Sequence, residues 1–288
     1  MPASLGYVTP FEFASNGGQH WHKVVLTDLG HGHREASITP YRTLAECPPA
    51  WDVLAGRWKG EGDADYVPTV RGEGDREASV KRACRRSKKA VRERAKGAGY
   101  DSLFTLTFRE NVTDRDIAAE VLTRFLRRLR ALLPGVSYVS VFERQKRGAW
   151  HVHIATHALP KLLAVRGAKV KSWSVMRAIW RSCAGELGGN FDEQKRGRRA
   201  SSFRIARYLS KYISKDFADS ELERKRYWLG GECQAPKRVV MLFPRGVGGK
   251  VDADLLAMVF VDVLGQAAEY SSWLHPDGTV YWCVARGS

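Results

Sequence analysis

Two histidines separated by one residue and two tyrosines four residues apart are the side chains of this sequence best suited to chemistry. The histidines lie in Trp150-His151-Val152-His153-Ile154-Ala155-Thr156-His157. Side chains alternate faces along a strand, so His151 and His153 project from one side, about 7 Å apart, while Val152 and Ile154 face the other way. Two imidazoles on one sheet face make half a metal site for a first-row divalent ion. Glu143, eight residues before His151, falls on the partner strand of a hairpin that turns at Gln145 to Ala149. A carboxylate there completes a facial set of three ligands and leaves positions open for a phosphate oxygen and water. His157 shares the face of the two histidines but reads as a strand-end residue.

The tyrosines lie in Tyr208-Leu209-Ser210-Lys211-Tyr212-Ile213-Ser214-Lys215. At about 100° per residue, with Tyr208 as zero, Tyr212 falls near roughly +40°, Lys215 near −20° and Lys211 near −60°. All four share one stripe, and Ile205, Ala206, Leu209 and Ile213 fill the neighbouring arc. The apolar arc packs on a sheet; the stripe presents two phenols and two ammonium groups. Tyrosine is a weak nucleophile because its pKa is near 10. A neighbouring ammonium and a metal that polarises a phosphate favour phenolate attack. The chemistry implied is phosphoryl transfer to tyrosine. Tyr212, with Lys215 three residues on and Lys211 beside it, is the expected first nucleophile.

The chain as a whole supplies the substrate class. Its 288 residues carry 47 Lys+Arg against 31 Asp+Glu, a net charge of +16 that calls for a polyanionic partner, nucleic acid first. Residues 75–96 read as a helix of one-sided charge. Such a run repels itself unless phosphates neutralise it, so Arg82, Arg85, Arg86 and Lys89 are assigned to DNA-backbone contact, with Arg204 added from the tyrosine helix. Together with the tyrosines, this implies a covalent protein–DNA linkage. The longest apolar run, Leu255 to Val261, is too short to span a bilayer, and the N-terminus lacks the layout of a signal peptide. No membrane association and a cytoplasmic location are expected. Five cysteines, scattered and never spaced as Cys-x-x-Cys, build neither a zinc knuckle nor a disulfide framework.

The elements that must position these groups can be read from periodicity. Leu103–Phe108 and Ser137–Arg144 are strand candidates, the second forming a hairpin with the histidine strand. Thr113 looks like the N-cap of a helix with Ile117, Val121, Phe125, Leu129 and Leu132 as its core stripe, ended by Pro134-Gly135. A second helix opens at Ser174 with Val175, Ile179, Cys183 and Leu187 buried. Phe191 to Arg199 reads as a short basic strand or loop, and Ser201 or Ser202 caps the tyrosine helix, which runs to about Asp216. Beyond it, Arg238–Phe243 and Gly278–Val284 read as strands with a helix from Ala253 to Ala268 between them. Residues 1–74 are a loose N-terminal region with Val24-Val25-Leu26 as a possible strand.

Phe104-Thr105-Leu106-Thr107-Phe108, His151-Val152-His153 and Tyr208-x-x-Lys211-Tyr212-x-x-Lys215 resemble, in that order, the three motifs of the HUH endonucleases that initiate rolling-circle replication. The third matches the two-tyrosine form found in initiators of single-stranded DNA phages and some plasmids. The resemblance implies an α+β fold: an antiparallel sheet of about five strands in a ferredoxin-like (RRM-like) arrangement with flanking helices. It also implies Mg²⁺ or Mn²⁺, single-stranded DNA or an extruded origin hairpin, a 5′-phosphotyrosine intermediate and a free 3′-OH. Unwinding and extension then fall to a host helicase and a replication polymerase. The expected organisation is an accessory region over 1–74, the endonuclease domain over 75–230 and an α/β extension over 231–288. An HUH-type transposase is the nearest alternative. A non-catalytic RRM-like module, stacking bases on Phe104, Phe108 and Phe142, is the other, although it leaves the tyrosine–lysine stripe without a role.

Overall fold

The structure, a computed structural model, describes residues 20–42, 51–52, 57–58, 75–195, 202–219, 224–244, 250–261, 265 and 267–287. They divide into two compact units, one from Asp75–Ala235 and one from Met1–Gly74 together with Pro236–Ser288. The chain opens with β1 (His20–Gly30) and β2 (His33–Arg42), an antiparallel hairpin turning at His31-Gly32. The two-residue strands β3 (Trp51–Asp52) and β4 (Arg57–Trp58) follow.

The unit over 75–235 begins with α1 (Arg76–Gly97), capped by Asp75, whose carboxylate accepts from the Ala78 amide at 3.2 Å. Then come β5 (Ser102–Thr107), α2 (Arg115–Leu132), β6 (Tyr138–Arg144) and β7 (Trp150–Thr156). A small hairpin absent from the sequence expectation, β8 (Leu162–Val165) with β9 (Ala168–Lys171), leads into α3 (Ser172–Ala184). The unit ends with β10 (Asn190–Lys195), α4 (Ser202–Asp219) and β11 (Tyr227–Gly230). Ser201, the alternative cap for α4, lies outside the described residues.

Its sheet runs β10-β5-β7-β6-β11, with every neighbouring pair antiparallel. The order β5-α2-β6-β7-α3-β10 is the βαββαβ path of a ferredoxin-like fold, extended by β11 at the β6 edge. The expected α+β class with a five-stranded antiparallel sheet is therefore the observed one. Alternation along the strands builds two cores. On one face Phe104, Leu106, Phe142, Val152 and Ile154 bury against Phe125 and Leu129 of α2 and Trp180 of α3. On the other, Leu103, Val139, Val141 and Ala155 meet Val91 and Ala95 of α1 and Ile205, Leu209 and Ile213 of α4. Each fully buried side chain of this size contributes about 1.5–3 kcal/mol.

Two helix phases differ from expectation. The α2 cap is Asp114, accepting from the Asp116 and Ile117 amides, not Thr113. The buried stripe is Ala118, Val121, Leu122, Phe125, Leu126 and Leu129, which leaves Ile117 45% exposed. In α3 the most buried residues are Met176, Trp180, Cys183 and Ala184, while the expected Val175, Ile179 and Leu187 are partly buried against the same core.

The other unit adds β12 (Lys237–Pro244), α5 (Ala253–Val259), β13 (Ala267–Leu274) and β14 (Tyr281–Gly287). Its sheet, β12-β1-β2-β14-β13, joins strands from both ends of the chain, where the sequence pattern suggested separate extensions. The helix expected over 253–268 is α-helical through Val259 and passes into wider, π-type turns at Phe260 and Val261, whereas residues from Ala267 onward pair with β14. Val24, Ile38, Tyr281 and Cys283 bury against Leu255 and Val259.

Candidate active site

β7 is the central strand, buried along its length between β5 and β6. Val152 and Ile154 enter the α2/α3 core, which turns His151 and His153 to the face occupied by α4. Antiparallel register sets Glu143 opposite His151, with Thr107 opposite it on the other side, and Thr105 opposite His153. The Glu143 carboxylate reaches diagonally to accept from His153 Nε2 at 2.7 Å, and the Thr105 hydroxyl lies 3.3 Å from His153 Nδ1. With the carboxylate accepting at Nε2, Nδ1 is left to accept from Thr105. His153 is 3% and His151 9% exposed.

Gln145, in the β6–β7 turn, places its side-chain Nε2 3.0 Å from His151 Nδ1, and Arg147 Nε donates to Gln145 Oε1 at 3.1 Å. His151 Nε2 is buried without a hydrogen-bond partner among the described residues. Burial lowers the His151 pKa below its ordinary value; the Glu143 charge opposes this without overcoming it. Burial works to raise the Glu143 carboxyl, but the hydrogen bond and charge of His153, the Tyr212 hydroxyl and Lys215 together hold it below the usual range.

α4 brings both tyrosines onto this face. The Tyr212 ring stacks on His153 with centroids 4.9 Å apart and planes at 21°. Tyr208 meets His153 edge-on at 5.3 Å and Tyr212 edge-on at 4.9 Å. Tyr212 is only 5% exposed, and its hydroxyl donates to Glu143. Burial first, then the hydrogen bond with Tyr208 and the Glu143 charge, push its pKa well above the ordinary phenol value. Tyr208 is half-buried. Lys215 sets its ammonium 5.6 Å over the Tyr212 ring.

Glu143, His151, His153, Tyr208, Tyr212 and Lys215 are thus gathered in one place. Lys211 is exposed and makes no ion pair among the described residues; Arg204 is exposed near the start of the same helix. Arg82, Arg85, Arg86 and Lys89 are all exposed on α1. The last turn of α1 is structural instead: Arg94 donates to the carbonyls of Gly230 and Gly231 at 2.6 and 2.7 Å, and Lys96 is buried. His157 lies past the end of β7, edge-on to Tyr100 at 5.4 Å. Phe104, Phe108 and Phe142 are all buried in the α2/α3 core, so none is offered as a stacking platform for bases.

The β6–β7 turn, expected at Gln145 to Ala149, was given no role in the site from sequence. A hollow of about 480 Å³ opens beside the site, lined by Glu143, Arg144, Gln145, Lys146, Arg147 and Lys215. The signal was the run Arg144-Gln145-Lys146-Arg147 immediately before the histidine strand, which has the polar composition of an ordinary turn.

The residues fit a divalent cation in type. Two imidazoles and a carboxylate share one face, and one ligand atom, His151 Nε2, is buried with no hydrogen-bond partner among the described residues. As they stand, Glu143 closes on His153, and among the described residues no three such groups are gathered closely enough to enclose an ion.

None of the described helices is long and apolar enough to cross a membrane. Comparison with curated proteins and with solved structures gave no match. The family described as replication-associated protein ORF2/G2P matches residues 101–217, from the start of β5 into the last turn of α4. That span holds every member of the histidine–glutamate–tyrosine cluster and leaves out α1. Over those residues the chain is similar to replication-associated proteins.

Proposed function

We propose that the chain is a replication initiator of the HUH two-tyrosine type, a nicking-joining endonuclease acting on single-stranded DNA or an extruded origin hairpin. The observation that carries this reading is the stacking of Tyr212 on His153, with Tyr208 edge-on to both, inside the span that matches replication-associated proteins. A tyrosine pair with only a packing role would have no reason to share its face with a polar imidazole–carboxylate pair.

His151, His153 and Glu143 would hold Mg²⁺ or Mn²⁺, which when bound supplies positive charge to the scissile phosphate and to the leaving oxygen. The chain's own residues do the rest. The basic hollow at Arg144–Arg147 and Lys215 receives the backbone phosphates. The Tyr208 oxygen attacks phosphorus and loses its proton, the P–O3′ bond breaks, and the 3′ oxygen takes up a proton. The products are a 5′-phosphotyrosine and a free 3′-OH for a polymerase to extend, with unwinding supplied by a separate helicase. The order of the nucleophiles is the reverse of that expected from lysine spacing. Tyr212 is buried, bonded to Glu143 and raised in pKa, whereas Tyr208 is half-exposed. Tyr212 acts second, when the first adduct has drawn DNA into the site, and rejoining a displaced strand needs this second nucleophile. Lys215, over the Tyr212 ring, stabilises its phenolate as it forms.

The test is incubation of the protein with labelled single-stranded DNA of its own replicon and Mg²⁺ or Mn²⁺, followed by denaturing electrophoresis. An SDS-resistant adduct that disappears with chelator and in the Tyr208→Phe/Tyr212→Phe double variant is expected. Cleavage that survives the double variant would overturn the proposal.

A further inference from the structure

Cross-strand pairing aligns Glu143, His151, Thr107 and Asn190 in one row over four adjacent strands, at the end of the sheet where β7 begins. The basic hollow of the β6–β7 turn lies at the Glu143 end of this row. At the Asn190 end lies a second hollow, of about 550 Å³, whose lining includes Thr107, Arg109, Arg181, Gly188, Gly189 and Asn190. With strands about 4.8 Å apart, the row measures roughly 15 Å, the reach of a few nucleotides of single-stranded DNA, and His151 sits between its ends.

Two glycines let the wall of the second hollow pack closely on its neighbours. Gly189 has φ +147°, and a Cβ there would meet the Thr107 carbonyl oxygen at 2.2 Å and Trp180 Nε1 at 2.6 Å. A Cβ on Gly188 would crowd the Arg109 side chain at 3.2 Å. Both arginines are braced from behind: Arg181 Nε donates to the Gly189 carbonyl at 2.9 Å, and Arg109 Nη2 to the Glu186 carbonyl at 3.2 Å. Each guanidinium carries five N–H donors, so most of them remain for a ligand. Among the described residues the only acid paired with either is Glu110, in an exposed 3.3 Å contact with Arg109 that water and salt readily replace.

We propose that this hollow is a second DNA-backbone site, in which Arg109 and Arg181 hold a phosphate on the far side of the scissile one from the Arg144–Arg147 turn. The inference rests on the nicking reading for the meaning of "scissile", but its test reads binding alone. Full-length protein carrying Tyr208→Phe and Tyr212→Phe, which cannot form the adduct, is titrated with a fluorescein-labelled oligothymidylate over a series of salt concentrations. Adding Arg109→Ala and Arg181→Ala should lower the log–log salt slope by about 0.7, the value for one lost phosphate contact on single strands. An oligothymidylate too short to bridge both hollows, and so able to leave the second one empty, should lose less slope. Because Arg181 also braces the Gly189 loop, the exposed Arg109→Glu variant is measured alone, with circular dichroism as the check on folding. It should lower the slope by at least as much as one contact. An unchanged slope in folded Arg109→Glu and in the double alanine variant overturns the inference. If the slope falls but the native tyrosines give no adduct with any DNA, the hollow stands as a DNA site and the nicking reading fails. If adducts form while the slope does not move, the inference falls alone.

Discussion

Replacing Arg82, Arg85, Arg86 and Lys89 together by Gln should leave the protein folded and reduce its dependence on salt in DNA binding. These positions follow the i, i+3, i+4, i+7 spacing of one helical stripe, and all four are exposed. The opposite side of α1, with Val80, Cys84, Val91 and Ala95, packs into the core shared with α4. Four phosphate contacts at about 0.7 each would remove at most roughly 2.8 from the log–log salt slope on single strands. Some of that charge is already engaged. Lys89 lies 3.8 Å from Glu93, and Arg82 and Arg85 bond Ser79 Oγ and the Lys81 carbonyl at 2.9 and 3.4 Å. These contacts are exposed and easily exchanged, so a fall of about 2 to 2.8 is expected. Gln matches Arg and Lys in helix propensity, and each lost surface pair costs only a few tenths of a kcal/mol, so stability should change by less than about 1 kcal/mol. Fluorescence anisotropy with labelled single-stranded DNA over a salt series, alongside thermal melts, makes the measurement. An unchanged slope in a folded variant would show that the basic stripe of α1 is a solvated surface and not a DNA contact.

Other consequences follow from the site itself. His151→Ala and His153→Ala should each abolish adduct formation while leaving most DNA affinity, since affinity comes from phosphate contacts spread over the basic surface; normal cleavage by either, with carried-over metal excluded, would remove the metal assignment. Gly189→Ala should destabilise the protein by about 2–4 kcal/mol in chemical denaturation, through its positive φ and the clash with the Thr107 carbonyl, and a melt like that of the wild type would contradict the packing described. Because burial depresses His151 below its ordinary 6.5, the unfolded chain takes up that proton first as pH falls. Metal-free protein should therefore lose stability from about pH 6.5 downward through the lower folded value, and His151→Gln should flatten that loss; equal pH dependence in the two proteins would argue against the shift.

The part of the site that lies on regular elements was legible from the sequence. Alternation along 150–156 separates the histidines from Val152 and Ile154, and the α4 stripe separates Tyr208 and Tyr212 from Ile205, Leu209 and Ile213. Pairing across the tight β6–β7 hairpin brings Glu143 beside His151 from spacing alone. Two adjacent capping residues, Thr113 and Asp114, left the phase of α2 open, and the choice of Thr113 went with a core assignment for Ile117 that the structure does not support. The outer pairings of the β1–β2 hairpin, to β12 and β14, come from the far end of the chain, and no local pattern reports so distant a pairing. The closing of Glu143 on His153, and of Tyr212 on both, depends on how α4 settles on the sheet. Periodicity gives the face of a helix but not its depth, so Tyr212 was expected to be presented and is instead buried.

The central claim is that the two tyrosines of α4 are the atoms that take the DNA. The most direct measurement is mass spectrometry of the peptide covalently joined to DNA after a single turnover with wild-type protein, repeated with Tyr208→Phe and Tyr212→Phe. The account predicts phosphotyrosine on Tyr208 in the first adduct, slowed by about tenfold or more in Tyr208→Phe, equivalent to about 1.4 kcal/mol on the barrier. Tyr212→Phe should still form that first adduct and fail in strand transfer from it. DNA attached at any residue other than Tyr208 or Tyr212, or a first adduct confined to Tyr212 with Tyr208→Phe fully active, would contradict it.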